Sequence, residues 1–524
     1  MSLNLYTPAD GLYSTHVTWE DIEEDMQREL NTIASFGPNK TAKDIGDGNG
    51  FMSKMVLIDP DWQHKDKELP QKFVVKILTQ LAILKVTNEM SEKNKIENSF
   101  KDPKFMADME VMQKTCHNAE VRTYEHLMKL SHKSLRIPKI YYMKKFTEWN
   151  PVKGYIIMEY LENLKAVHIY ENVTPKEVKQ ILRHKAVMEA SSLEVPSGVR
   201  NEYTSPFKTL LGAMFKKEIL DQISTMFDAF GDGKLAEKGE RLRAILPEMV
   251  DLQWVDNMSE EFGMDKVLCH GDLWSMNVLW RQNEGGLEMA AVVDYQTAHF
   301  GCAATDLVRL LCACLSGRDR RTNWEHLLEE FYSDLKEEVG NRKMPYTLEQ
   351  LKEAYRQYFP IGAFMIVPMV GPFFEMISAN SDEDFKKKGM EIVMEKTECL
   401  LDDIFFCHER NMELRKKKNG LKITHVTWED CEEDMQREFD TMASFGPNKT
   451  AKDIGDGNCH NAEVRTYKHL MKASKEGMRI PKIYYMKKFT ESNPLKGYII
   501  MEYFDNLRAV PIYENVPPRG VKQV

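Results

Sequence analysis

Residues 267–280 read VLCHGDLWSMNVLW: an apolar strand, the polar turn His270-Gly271-Asp272, then Asn277 ahead of a second apolar stretch. A further apolar run, AAVVD at 290–294, ends in Asp294 and is followed by Tyr295-Gln296. This is the layout of a phosphotransferase catalytic loop followed by a metal-binding strand end. A hydroxyl attacking a γ-phosphate needs a carboxylate to orient it and take its proton, and Asp272 suits that task. Magnesium prefers hard oxygen ligands, which Asn277 and Asp294 can supply beside the phosphates. His270 is grouped with Asp272 as a catalytic-loop residue, with hydrogen bonding that holds the loop as its expected task. The bland alternative is a polar turn carrying unrelated carboxylates. Asp306, in GCAATDLVRLL at 301–311, is expected either to cap the next helix or to brace the loop from behind.

Upstream, Gly46, Gly48 and Gly50 in IGDGNGF form either a phosphate-covering turn or a simple hairpin turn. Lys76 stands inside the apolar strand FVVKI and, as a phosphate-pairing lysine, needs an acidic partner. Glu120, in the helical pattern CHNAEVRTYEHL, is the candidate. Strands are expected at 51–58, 72–78, 139–143, 155–159, 266–269 and 289–294. Helices are expected after Thr18, over much of 81–129 with a loop near Asp102-Pro103, after Thr174 and over 347–358. Capping boxes pair Thr18 with Asp21, Thr174 with Glu177 and Thr347 with Gln350. A strand-rich part followed by a helix-rich part implies two lobes of an α+β fold, with a ligand site between them.

The segments HGDLWSMNVLW, VVDYQTAHFGCAATDLVRLL, GDGNGFMSKM and THVTWED resemble the CHK-kinase-like, or ecdysteroid-kinase-like, family, especially its nematode-expanded branch. That family is similar to choline kinases and aminoglycoside phosphotransferases. The resemblance covers about residues 10–410 and implies a bilobal protein-kinase-like fold that uses ATP and Mg2+ to phosphorylate a small-molecule hydroxyl. It implies Asp272 as base, Asn277 and Asp294 as magnesium ligands, and Lys76 with Glu120 as the ATP-anchoring pair. Met158, Glu159 and Tyr160 would be the hinge that reads adenine. Gly271 stands where protein kinases carry arginine, and Tyr295-Gln296 where they carry Phe-Gly. Both departures argue against protein substrates. Trp274, Met276 and the run 359–374 (FPIGAFMIVPMVGPFF) lean toward an acceptor with an apolar body, such as a sterol or aglycone. The competing readings are a pseudokinase that binds nucleotide or partners without turnover, and an unrelated metal hydrolase.

The chain has 524 residues, 42% hydrophobic and 29% charged, with a net charge of −10. That composition is ordinary for a globular protein and excludes disordered, collagenous and disulfide-rich classes. The acidity argues against nucleic acid as main partner. Nine scattered cysteines lack zinc spacing, and no secretory signal is evident at the start, so reduced thiols and a cytoplasmic location are expected. The uncharged run 359–374 is too short and too proline-rich for a membrane span.

Length is explained by a repeat. THVTWEDIEEDMQRELNTIASFGPNKTAKDIGDGN at 15–49 returns nearly verbatim at 424–458, and the block 116–180 returns at 459–523. Counterparts of 50–115, including Gly50 and Lys76, are absent from the second copy, as is the catalytic loop. The expected organisation is an N-lobe at 1–165, a helical C-lobe at 166–412, a linker at 413–423 and a truncated N-lobe repeat at 424–524. It arises either from a genuine fusion or from two neighbouring genes read as one. The second copy is expected to be poorly packed, or to lean on the first.

Overall fold

The computed structural model describes residues 3–46, 52–81, 83–84, 102–205, 226–228, 230–370, 374, 378, 381–418, 428–439, 483–487 and 498–501. Gly48 and Gly50 lie outside them. The chain divides into two compact units, Met1–His408 and Glu409–Val524.

The first unit begins with helix α1 (Trp19–Leu30), entered through the expected capping box: Thr18 Oγ1 accepts from the Asp21 amide and Asp21 returns the bond. Its apolar stripe buries Ile22 and Met26, and Asn31 ends it in the left-handed region at φ 49°. Five antiparallel strands follow in the order β1-β2-β3-β5-β4: β1 (Thr41–Asp44), β2 (Ser53–Asp59), β3 (Phe73–Leu78), β4 (Ile140–Lys144) and β5 (Tyr155–Glu159). β3 is central and buried along its whole length. Its two-residue period sends Phe73, Val75 and Ile77 into a cluster with Ile22, Met26 and Trp62, while Val74 joins the main core with Ile156 and Met158. Lys76 shares the face of Val74. Helix α2 (Pro103–Leu127) starts at the predicted Asp102-Pro103 boundary, where Asp102 caps the Lys104 amide at 3.0 Å. The remainder of the helical reading N-terminal to it falls largely outside the described residues.

Beyond β5 the chain crosses to a second, mainly helical part, where Lys165 and Trp280 exchange backbone hydrogen bonds of 2.7 and 3.3 Å. Helix α3 (Pro175–Ser192) leads to α4 (Ala236–Met249) and α5 (Leu252–Glu261). Two small antiparallel ladders then carry the signature segment: β6 (Val267–Cys269) pairs with β9 (His299–Gly301), and β7 (Val278–Asn283) with β8 (Gly286–Val292). The expected strand 289–294 is thereby corrected: β8 ends at Val292, because Asp294 takes φ 69°, a left-handed value no strand residue adopts. Helices α6 (Ala304–Cys314), α7 (Gly317–Val339), α8 (Leu348–Phe364) and α9 (Glu383–Lys418) complete this part. The 347–358 expectation falls short, since α8 continues through Pro360 into the apolar run and is followed by a short helix, Val367–Val370. Among the described residues no helix is long and apolar enough to cross a membrane. The segment read as a linker starts inside α9, whose helix-favouring Glu, Lys and Arg residues carry it to Lys418.

In the second unit, α10 (Trp428–Phe439) accompanies a two-stranded sheet, β10 (Ile483–Lys487) with β11 (Tyr498–Met501). Ile483 pairs with Met501 and Lys487 with Tyr498, the register of Ile140 with Met158 and Lys144 with Tyr155, including the irregularity after the first pair. Asp434 of α10 is buried and bonds Lys487 at 3.1 Å.

Candidate functional site

Lys76 projects from β3 toward α2, where its Nζ donates to Glu120 Oε1 at 2.9 Å and Oε2 at 2.8 Å. The same ammonium reaches Asp294 Oδ1 at 2.7 Å, from the far side of the sequence. Lys76 and Glu120 are both buried. Burial alone would drive proton loss from Lys76, but the Asp294 and Glu120 carboxylates outweigh it and hold its pKa above the usual lysine range. Burial raises the Glu120 carboxyl, against the pull of Lys76, and the Asp294 charge adds to the rise.

The catalytic-loop candidates surround Asp272. Asn277 Nδ2 donates to Asp272 Oδ2 at 3.0 Å and to its backbone carbonyl at 2.9 Å, while the Asn277 carbonyl accepts from the Val293 amide at 2.9 Å. The loop therefore touches the strand end that carries Asp294. His270 is buried, with Nδ1 accepting from the Asp272 amide at 3.2 Å and Nε2 donating to the Val293 carbonyl at 3.0 Å. Those bonds fix one neutral tautomer, and burial lowers its pKa. His270 thus spends both ring nitrogens on hydrogen bonds within the loop and to Val293. Gly271 sits at φ 81°, and a Cβ there would lie 2.2 Å from the Thr297 carbonyl oxygen, so no other residue fits this turn.

Asp306 resolves as the brace. Its oxygens accept from the His270 and Gly271 amides, each at 2.8 Å, and from Lys185 of α3 at 2.9 Å. Lys185 also pairs with Glu189 at 2.6 Å, and Glu189 accepts from the Tyr346 hydroxyl. Burial opposes the Asp306 charge, yet Lys185 and His270 with these donors keep its pKa below the ordinary value.

Of the glycine turn, Gly46 closes the β1–β2 hairpin, its amide donating to Asp44 Oδ1 at 3.0 Å. Met158 and Glu159 end β5, where Glu159 pairs with Phe73 of β3 and its amide donates to the Lys139 carbonyl at 2.8 Å. Tyr160 begins the crossing. Two residues escape the sequence reading. Arg309 places its guanidinium on Asp272 Oδ1, and Lys185 stands behind the brace. Arg309 carries a usable signal: it is the lone cation in the otherwise apolar ATDLVRLLCAC, three residues after Asp306 and so on the same helix face.

The DUF1679 family profile, described as "Uncharacterized oxidoreductase dhs-27", matches residues 5–412, 414–459 and 457–524. The chain belongs to the DUF1679 family. Two Caenorhabditis elegans proteins are similar to this DUF1679 member. "Uncharacterized oxidoreductase dhs-27" is 24% identical over 354 residues, which are 65% of this chain and 40% of that protein. "Uncharacterized kinase-like protein D1044.1" is 22% identical over 395 residues, 74% of this chain and 97% of that one. The chain therefore spans 40% of the length of the first relative and nearly all of the second. Among solved structures, the spectinomycin phosphotransferase APH(9)-Ia in complex with ADP and spectinomycin is 11% identical, covering 75% of this chain and 100% of that one, at a TM-score of 0.36. Plasmodium vivax ethanolamine kinase is 12% identical, covering 68% and 81%, at a TM-score of 0.34. At these scores the likeness carries no weight for fold or activity.

Proposed function

We propose that this chain is an ATP-dependent phosphotransferase of protein-kinase-like fold that phosphorylates a small-molecule hydroxyl. The observation that carries the reading is Lys76 held between Glu120 and Asp294, with Asp294 joined through Val293 to the Asn277–Asp272 loop. Four chain segments distant in sequence converge there, each supplying the residue type that phosphoryl transfer needs. Lys76, kept cationic, pairs with the nucleotide phosphates while Glu120 fixes its direction. Asp272 accepts the hydroxyl proton as the acceptor oxygen bonds to the γ-phosphorus, the bridging bond breaks and ADP leaves. Gly46 lies just beyond β1, in the β1–β2 connection that would cover the phosphates, and Met158 to Tyr160 would read the base.

The donor set suits magnesium. Asp294 offers a carboxylate, and Asn277, its amide nitrogen spent on Asp272, offers the side-chain oxygen. Among the described residues no cluster of three or more His, Cys, Asp or Glu could hold a metal unaided. The ion would complete its oxygen shell from phosphate and water, supplying charge neutralisation on the phosphates.

A pseudokinase is the second reading, and one observation favours it: both oxygens of Asp272 are already engaged, by Asn277 and Arg309. The oxidoreductase description of the family finds little support in this chain. All strand pairs among the described residues are antiparallel, whereas a dinucleotide fold is built on parallel strands. The near-repeat at 424–524 has no counterpart of Lys76 or of the loop, and we read it as a partial duplicate without transfer activity of its own.

The test is Asp272→Asn. Magnesium-dependent phosphate transfer from ATP to a panel of hydroxylated small molecules should fall by about a hundredfold or more, with nucleotide affinity retained. Transfer at the wild-type rate would overturn the reading, and wild-type nucleotide binding without any transfer would favour the pseudokinase.

A further inference from the structure

The base candidate is paired with a cation the reaction does not require. Arg309 of α6 sets its guanidinium on Asp272 Oδ1, with 15% of its side chain exposed, and Asn277 occupies Oδ2. The guanidinium carbon lies over the Trp274 ring, 5.7 Å from its centre, so the cation beside the carboxylate also meets an aromatic face. Among the described residues, Arg309 Nε and Trp274 Nε1 are both buried without an acceptor. Each can only donate. The wall beside Asp272 therefore holds surplus donors and a positive charge whose counter-ion among the described residues is Asp272 itself.

Charge balance makes that arrangement informative. An acceptor hydroxyl that reaches Asp272 comes up beside the Arg309 guanidinium paired with it. A neutral acceptor would cover that guanidinium with apolar surface. An acceptor bearing its own negative group beside the hydroxyl would draw Arg309 to itself and free a lone pair of Asp272.

We propose that Arg309 is a specificity-determining residue that binds an oxyanion on the acceptor, a carboxylate or a sulfate, close to the hydroxyl that is phosphorylated. With Trp274 alongside, the substrate class is an amphipathic hydroxy acid or its sulfated equivalent. The inference rests on the phosphotransferase reading above.

The test uses the full chain with Mg·ATP and matched acceptors: 12-hydroxydodecanoate, its methyl ester, 12-hydroxydodecyl sulfate, 4-(hydroxymethyl)benzoate and its methyl ester. Binding is measured by calorimetry and transfer by ADP release. At least one anionic member should bind and turn over about tenfold or more better than its neutral partner. The carboxylate and sulfate arms tell which oxyanion is read. Arg309→Met should bring the anion-to-ester ratio close to one, and Arg309→Lys should keep part of it. A common loss of anion and ester in Arg309→Met, or esters equal to acids in the wild type, would overturn the proposal. So would failure of every anion to bind while Mg·ATP still binds. Failure of the wild type to bind Mg·ATP would instead bring down the phosphotransferase reading itself.

Discussion

Asp306 shows how much one buried carboxylate can organise. Three donors converge on its two oxygens, and a lysine with no solvent contact is neutralised jointly by it and Glu189. In Asp306→Asn the amide group would turn donors toward donors and leave Lys185 with one carboxylate. Breaking a buried pair in this way costs about 3–5 kcal/mol. Urea unfolding should show that loss, and phosphate transfer at temperatures where the variant is folded should fall with kcat rather than KM. A variant within about 1 kcal/mol of wild type would show that Lys185 and the loop amides find other partners. Asp294 is the complementary case. Its left-handed backbone ends β8 early and turns its carboxylate to Lys76, a constraint of the kind that clusters at functional sites.

At the scale of elements, the sequence is legible wherever local chemistry and tertiary packing agree. The box of Thr347 with Gln350 forms as read, with bonds of 2.8 and 3.2 Å. β3 is readable because FVVKI sets a lysine into a β-branched run, and period two then dictates its face. β1 is not readable: TAKD has Ala42 as its one apolar residue and no alternating apolar pattern, and its strand character comes from pairing with β2. Arg309 is visible as an oddity in an apolar helix, but which carboxylate it meets depends on the packing of α6 beneath the loop. The same reasoning separates the two units. β10 and β11 keep the register of β4 and β5, yet among the described residues they form a sheet of two strands, where β5 in the first unit lies between β3 and β4. Two strands alone are marginal. Limited proteolysis of the full chain should cut within 424–524 well before it cuts the described elements of 1–408. Equal resistance would show that this unit is covered and stabilised.

For the whole molecule, acid is the condition to watch. His117, His184, His270 and His299 are buried, and burial lowers each, His117 to about 4 and His184 to about 3. His184 is tied at both nitrogens, accepting from the Arg136 amide at 3.2 Å and meeting the Tyr295 hydroxyl at 2.9 Å. In the unfolded chain these rings protonate near pH 6.5. Their contribution is therefore present above about pH 6.5 and is lost as pH falls toward 4 and 3, because only the unfolded state gains the protons. Unfolding free energy should decline on that side, and His184→Asn should flatten the slope between pH 6 and 4 by about 1.4 kcal/mol per pH unit. An unchanged slope would mean that His184 protonates in place.

The anchoring of the His270–Asn277 loop also bears on its hydrogen exchange. Loops of this kind normally trade their amide protons with solvent quickly, yet the His270 and Gly271 amides end on a carboxylate with no solvent contact. Their exchange then requires the opening of α3 and α6 together, which makes them reporters of global rather than local opening. A loop locked from behind in this way cannot serve as its own gate. On the proposed function, whatever admits and releases ligand must be sought among the segments facing it.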